Sequence, residues 1–115
     1  MSFDWASYIK LAEELAKQPH ESYWRSSVSR AYYGVFCTAR DRKDTTSFSG
    51  GKIHEIVINS YKNSTNSNEQ YIGFLLDKLR KSRNQADYDG EKRIDKDIAE
   101  RAVVSAKNIL WKLNK

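Results

Sequence analysis

The chain has 115 residues, 39% of them hydrophobic and 30% charged, with a net charge of +5 at pH 7. That length supports one modest core and excludes a two-domain enzyme, and the composition lies well away from the weakly hydrophobic, highly charged range of disordered chains. One cysteine, Cys37, and two histidines, His20 and His54, exclude an intramolecular disulfide and spell no zinc-ligand spacing, so no metal or cofactor is expected and a reducing cytoplasm is the natural setting.

The charge is uneven. Residues 1–60 carry 8 positive and 7 negative groups, whereas residues 61–115 carry 12 positive and 8 negative. With a sequence pI near 9.3, this second-half excess favours an anionic partner such as nucleic acid or a nucleotide. The stretch Met1–Lys17 interrupts its apolar positions with Asp4, Glu13 and Glu14, the pattern of neither a signal peptide nor a membrane span.

In the first stretch Trp5, Tyr8, Ile9, Ala12, Leu15 and Ala16 recur at three and four residues, an amphipathic stripe that stops before Pro19, the sole proline. Trp24, Val28, Ala31, Tyr32, Val35, Phe36 and Ala39 repeat the pattern over five turns, and the polar run Arg40–Ser49 ends it. After Gly50-Gly51, the positions Ile53, Ile56, Val57 and Tyr61 predict a short third helix, against the β-branched run Ile56-Val57-Ile58. Residues 63–68 are Ser, Thr and Asn only, and Ser67 with Gln70 three residues on matches a capping box opening helix four. Its stripe is Ile72, Leu75, Leu76 and Leu79, then Arg83 and Ala86, with a turn at Asp89-Gly90. A fifth helix opens near Asp95 or Asp97 and runs through Ile98, Ala102, Ser105, Ala106, Ile109 and Leu113. No strand pattern competes, so the expectation is one all-α domain over 1–115, an antiparallel up-and-down bundle of four main helices plus a short one.

Arg83 falls where the next core residue of helix four should sit, and arginine is seldom buried unless paired. Either the stripe runs into a cleft or dimer seam where Arg83 holds an anion, or it ends at Leu79 and Arg83 is exposed or paired with Asp87. Lys78, Arg80, Lys81 and Arg83 form a basic run bracketed by Asp77 and Asp87, a pattern usual in solvated faces. Arg30 and Tyr33 lie on the inner half of helix two, where aromatic packing is the plain reading. Gly34, in mid-helix, invites close approach of another helix and, with it, a homodimer. Trp5, Trp24 and Trp111 read as core rather than as a stacking platform, and His54 as a solvated or hydrogen-bonding residue rather than a base.

Two stretches together resemble the HEPN family of higher-eukaryote and prokaryote nucleotide-binding domains: Ser26–Phe36 (SSVSRAYYGVF) on helix two and Leu79–Asp89 (LRKSRNQADYD) at the end of helix four. The resemblance implies a helical bundle that dimerises, with the ends of helix four meeting across a cleft. It also implies a metal-independent endoribonuclease of toxin-antitoxin or defence type, encoded beside a small nucleotidyltransferase partner. The family motif is an Arg, a polar residue, and about a turn later a His. Arg83 and Asn84 match its first two elements, and the place of the His falls at Asp87 or Tyr88. On this reading Arg83 clamps the anion, Asn84 orients the phosphate, and Asp87 or Tyr88 handles protons. Arg30, Tyr33, Lys78, Arg80, Lys81 and Arg83 are the nucleic-acid contacts. The alternative implied by the absent His is a catalytically silent HEPN module that binds RNA, a nucleotide or a nucleotidyltransferase as a subunit or regulator.

Overall fold

Helix α1, Ser7–Ala16, starts where the Asp4 carbonyl accepts the Ser7 hydroxyl at 2.7 Å, and it buries Ile9, Ala12 and Ala16 before the chain reaches Pro19. Glu21 then opens α2, Glu21–Arg42, placing a carboxylate in the first turn, where the helix dipole favours it. Every position of its predicted stripe is buried except Trp24, which is half-buried against the core. The computed structural model describes residues 2–43 and 50–115. Of the predicted polar run, residues 40–42 continue α2, and 44–49 lie outside the described residues.

Helix α3, Ile53–Lys62, forms despite its β-branched run, because Val57, Ile58 and Tyr61 are buried and tertiary packing outweighs propensity. Its face differs from the expected one: Ile56 is exposed and Ile58 takes its place. Helix α4, Ser67–Tyr88, is capped one residue earlier than Ser67, by Asn66, whose side chain accepts the Glu69 amide at 3.0 Å. The Ser67–Gln70 capping box gives way because Gln70 donates to the Ser64 carbonyl at 2.7 Å. Helix α5, Lys96–Leu113, is capped by Asp95, which accepts the Ile98 amide at 2.9 Å.

These five helices, with no strand among the described residues, pack antiparallel into a body of 41 × 27 × 27 Å. Helix α2 lies at the centre against α1, α4 and α5, while α3 packs chiefly on α4. Two glycines set the closest approaches. A Cβ on Gly34 would stand 2.9 Å from Ile9 Cγ1 and 3.2 Å from the Trp5 carbonyl oxygen, so the neighbour anticipated there is this chain's own α1 and Gly34 gives no reason for a second copy. A Cβ on Gly73 would stand 2.6 Å from the Lys62 amide nitrogen, where the end of α3 presses on α4. Trp5 packs against the core as expected, but Trp111 is 58% exposed, because it lies on the outer face of α5. Among the described residues no helix is long and apolar enough to cross a membrane.

Candidate functional site

The α4 stripe does not end at Leu79: Ile72, Leu76, Leu79, Arg83 and Ala86 are all buried, and Arg83 is only 5% exposed. The reading that ends the stripe at Leu79 and leaves Arg83 exposed is therefore overturned. Its guanidinium carbon lies 5.2 Å from the ring centres of both Tyr32 and Tyr33 and 6.0 Å from that of Tyr88, so aromatic faces supply most of what surrounds the charge. The expected Asp87 partner is present but distant, with Nη1 to Oδ2 at 3.8 Å, and that same Oδ2 accepts the Ser29 hydroxyl at 3.2 Å. Nε of Arg83 and Nε of the half-buried Arg80 are both buried, and neither has a hydrogen-bond partner among the described residues. A buried donor left unmade costs about 1–3 kcal/mol, more when charged. Two such donors three residues apart on one helix are therefore an unusual cluster to retain.

His54 is the hydrogen-bonding residue, not the solvated one, of the two readings the sequence offered, and its place beside Arg83 was not anticipated. It comes from α3 and stacks on Phe36 with ring centres 4.3 Å apart, and its Nδ1 lies 2.6 Å from the Tyr32 hydroxyl. Tyr32 is fully buried, and this is the bond that satisfies its hydroxyl; with the O–H donating to Nδ1, the imidazole carries its own proton on Nε2. Burial, with the nearby charges of Arg83 and Arg80, pushes the His54 pKa down to about 4, and burial pushes the Tyr32 hydroxyl up. The signal was available: His54, Val57, Ile58 and Tyr61 follow the i, i+3, i+4, i+7 spacing of a buried face.

The remaining candidates divide. Arg30 joins the cluster through Tyr33, its guanidinium lying 5.3 Å from that ring and 4.8 Å from Tyr8. Asn84 and Tyr88 are exposed at the rim, Tyr88 by 77%. Lys81 turns instead to Asp77 at 3.7 Å, a carboxylate already held by Lys62 at 2.8 Å. Lys78 lies on another side of α4, in a groove with α5. Spacing could not separate these four cations, because a run of neighbours on a helix points in every direction.

The end of α4 that carries Asp87 and Tyr88 is fixed from α2. Arg25 Nη1 donates to the carbonyls of Gln85, Ala86 and Asp89 at 3.0–3.3 Å, Nη2 donates to that of Lys92, and Nε donates to Glu21 at 3.0 Å. One guanidinium thus meets the Ala86 carbonyl in the last turn of α4 and adds a second donor to the carbonyls of Gln85 and Asp89, which already accept the Asp89 and Lys92 amides. Glu21 also accepts the Ile94 amide at 3.1 Å, which ties the α4–α5 connection to the same clamp.

Chemically, the cluster offers cationic donors, the exposed Tyr88 ring at its rim and an imidazole that is neutral at pH 7. These are the means of holding an anion that carries a planar ring. Proton transfer is less well provided, since an imidazole with pKa about 4 is uncharged at pH 7 and a weak base. Among the described residues no group of three or more His, Cys, Asp and Glu is arranged to hold a metal ion. Comparison with protein-family models, curated proteins and solved structures finds no match to this chain.

Proposed function

We propose that the chain is a HEPN-like module that works as a homodimer and holds an RNA or nucleotide phosphate at the end of α4, with Arg83 and Arg80 as its cationic donors. The observation that carries this reading is Arg83 itself: a buried guanidinium with an unpartnered Nε and a nearest carboxylate at 3.8 Å. A purely structural arginine at that depth is normally saturated by close carboxylates or carbonyls, as even the less buried Arg25 is. The second-half charge excess and the rim formed by Asn84 and Tyr88 are consistent with a phosphate entering there.

A second reading is the metal-independent endoribonuclease of toxin or defence type, paired with a small nucleotidyltransferase. The presence of His54 beside the arginines favours it, since His54 supplies from α3 the imidazole that the end of α4 lacks. Asp87, bonded to Ser29, and Tyr88 would be the other proton-handling groups.

Arg83→Met tests the proposal. Methionine fills a similar volume without the charge, and replacing an imperfectly paired buried ion by an apolar isostere is often neutral or stabilising. The melting temperature should hold or rise while affinity for a labelled mononucleotide falls at least tenfold. Unchanged affinity, or no nucleotide binding by the native protein at low salt, removes this reading. RNA cleavage in the presence of a chelator, abolished in Asp87→Asn or His54→Gln, would establish the second one.

A further inference from the structure

We infer that the outer face of α4 and α5 is a separate binding surface for single-stranded RNA, with bases stacking on Tyr71, Phe74 and Trp111 and the backbone following the basic groove that leads away from them. These three aromatics are 51%, 59% and 58% exposed, far more than large apolar side chains in a core. They are contiguous: the rings of Tyr71 and Phe74 lie 6.4 Å apart, and Lys112 Nζ sits 4.6 Å from the Tyr71 ring and 5.9 Å from that of Trp111. Lys115 Nζ stands 4.0 Å over Trp111. From Leu75 onward the two antiparallel helices enclose a groove of about 380 Å³ that passes Lys78 and Arg101 and reaches Lys92. No acidic side chain lines it; of the carboxylates beside it, Asp97 is engaged by Arg101 at 2.8 Å and Glu100 lies on the adjoining surface with Arg101 and Ser105.

Charge decides what covers this face. A second copy laid across it would set lysines against lysines, whereas a strand of RNA brings both a π-face for each exposed ring and a phosphate for each nearby cation. Duplex RNA hides its bases and cannot use the rings. Ser82, Gln85 and Ser105 in the groove offer hydrogen bonds to a ribose 2′-hydroxyl, which favours RNA over DNA. From Tyr71 to Gln85 the helix rises about 21 Å, room for about four nucleotides, the small end of such sites. This surface is independent of the Arg83 cluster, which faces α2 and α3.

Trp111 reports on the binding directly, because Trp5 and Trp24 pack against the core. Titrating the native protein at low salt with an oligouridylate of about ten residues should quench tryptophan fluorescence. An oligothymidylate of equal length should bind more weakly, and duplex RNA should give no quench. Phe74→Ala, at a position 59% exposed, should leave the helical signal intact and weaken binding about tenfold. Lys78→Gln should lower the slope of log affinity against log salt by about 0.7. No quench with the oligouridylate, equal affinity for duplex RNA, or unchanged affinity in Phe74→Ala overturns the inference. Equal binding of the oligothymidylate overturns the choice of RNA. A Phe74→Ala variant that loses only self-association reassigns the face to a protein contact. Binding lost in Arg83→Met but not in Phe74→Ala places the RNA at the other cluster and overturns this surface alone.

Discussion

His54 shows how burial beside two cations decides what a side chain does. Burial, with the charges of Arg83 and Arg80, keeps the imidazole neutral, while its Nδ1 lies 2.6 Å from the Tyr32 hydroxyl and the Phe36 ring covers one face. That arrangement has a pH signature. Below about pH 6.5 the unfolded chain takes up a proton on this imidazole, whereas the folded chain does so only near pH 4. The unfolded state thus binds more protons between those values, so the contribution to stability is complete above about pH 6.5 and is lost as the pH falls toward 4. His54 is partly exposed, which reduces the effect, and a fall in Tm of about 5 °C between pH 7 and pH 5 is the expected scale. His54→Gln keeps an acceptor for Tyr32 but cannot titrate, and its Tm should be nearly flat over the same range. The carboxylates whose values are lowered, Glu13, Glu21, Glu69 and Asp77, release their contributions at lower pH and do not mimic this slope. Equal slopes in the two proteins would show that His54 is not held as described.

Most of the helix plan was legible because the breakers are few and the stripes long. Pro19 and the polar stretch 63–68 mark helix ends, and the apolar spacing between them needs only a period near 3.6. What spacing could not supply was the partner of each element. Nothing near Arg25 in sequence announces that it closes the end of α4 some 60 residues later, and Gly73 gives no sign that α3 ends against it. The cap of α4 was misplaced by one residue because Asn66 and Ser67 are both good caps, and the bond to the Glu69 amide decides between them. Arg83 was readable as an oddity, but its aromatic enclosure depends on the α2–α4 packing. The Gly73 contact makes a prediction for the element it seats. An added methyl would meet backbone, which cannot swing aside, so α3 must shift, at a cost of about 1–3 kcal/mol. Because α3 carries His54, Gly73→Ala should also weaken the His54–Tyr32 bond and flatten the pH slope of Tm. Differential scanning calorimetry at pH 7 and pH 5 reads both effects. A stability loss with the full slope retained would mean that α3 adjusts at its Lys62 end without moving His54.

At the scale of the whole molecule, the second half of α4 carries the two arginine Nε atoms without a hydrogen-bond partner among the described residues and the highly exposed Tyr88, whose ring centre lies 6.0 Å from the Arg83 guanidinium. A homodimer that brings two α4 ends together would cover Tyr88 and set one pair of arginines facing another, with a shared anion between them. Such an interface is expected to bury on the order of 1,200 Å² or more in total. Two copies each carrying +5 repel one another, so raising the salt screens the repulsion and should hold or strengthen self-association. RNA binding responds in the opposite sense, because each phosphate contact releases counterions that added salt opposes. Sedimentation velocity at low and at physiological salt therefore separates the two interactions in one protein. The expected result is a species of twice 13.4 kDa at micromolar concentration that persists as salt rises, while RNA affinity measured on the same sample falls steeply. Adding a short oligouridylate at low salt should shift the balance further to the dimer, since an anion shared between the two α4 ends neutralises the charges that hold the copies apart. A 13.4 kDa species alone under both conditions, with and without RNA, would remove the homodimer and leave each arginine cluster to bind its anion singly.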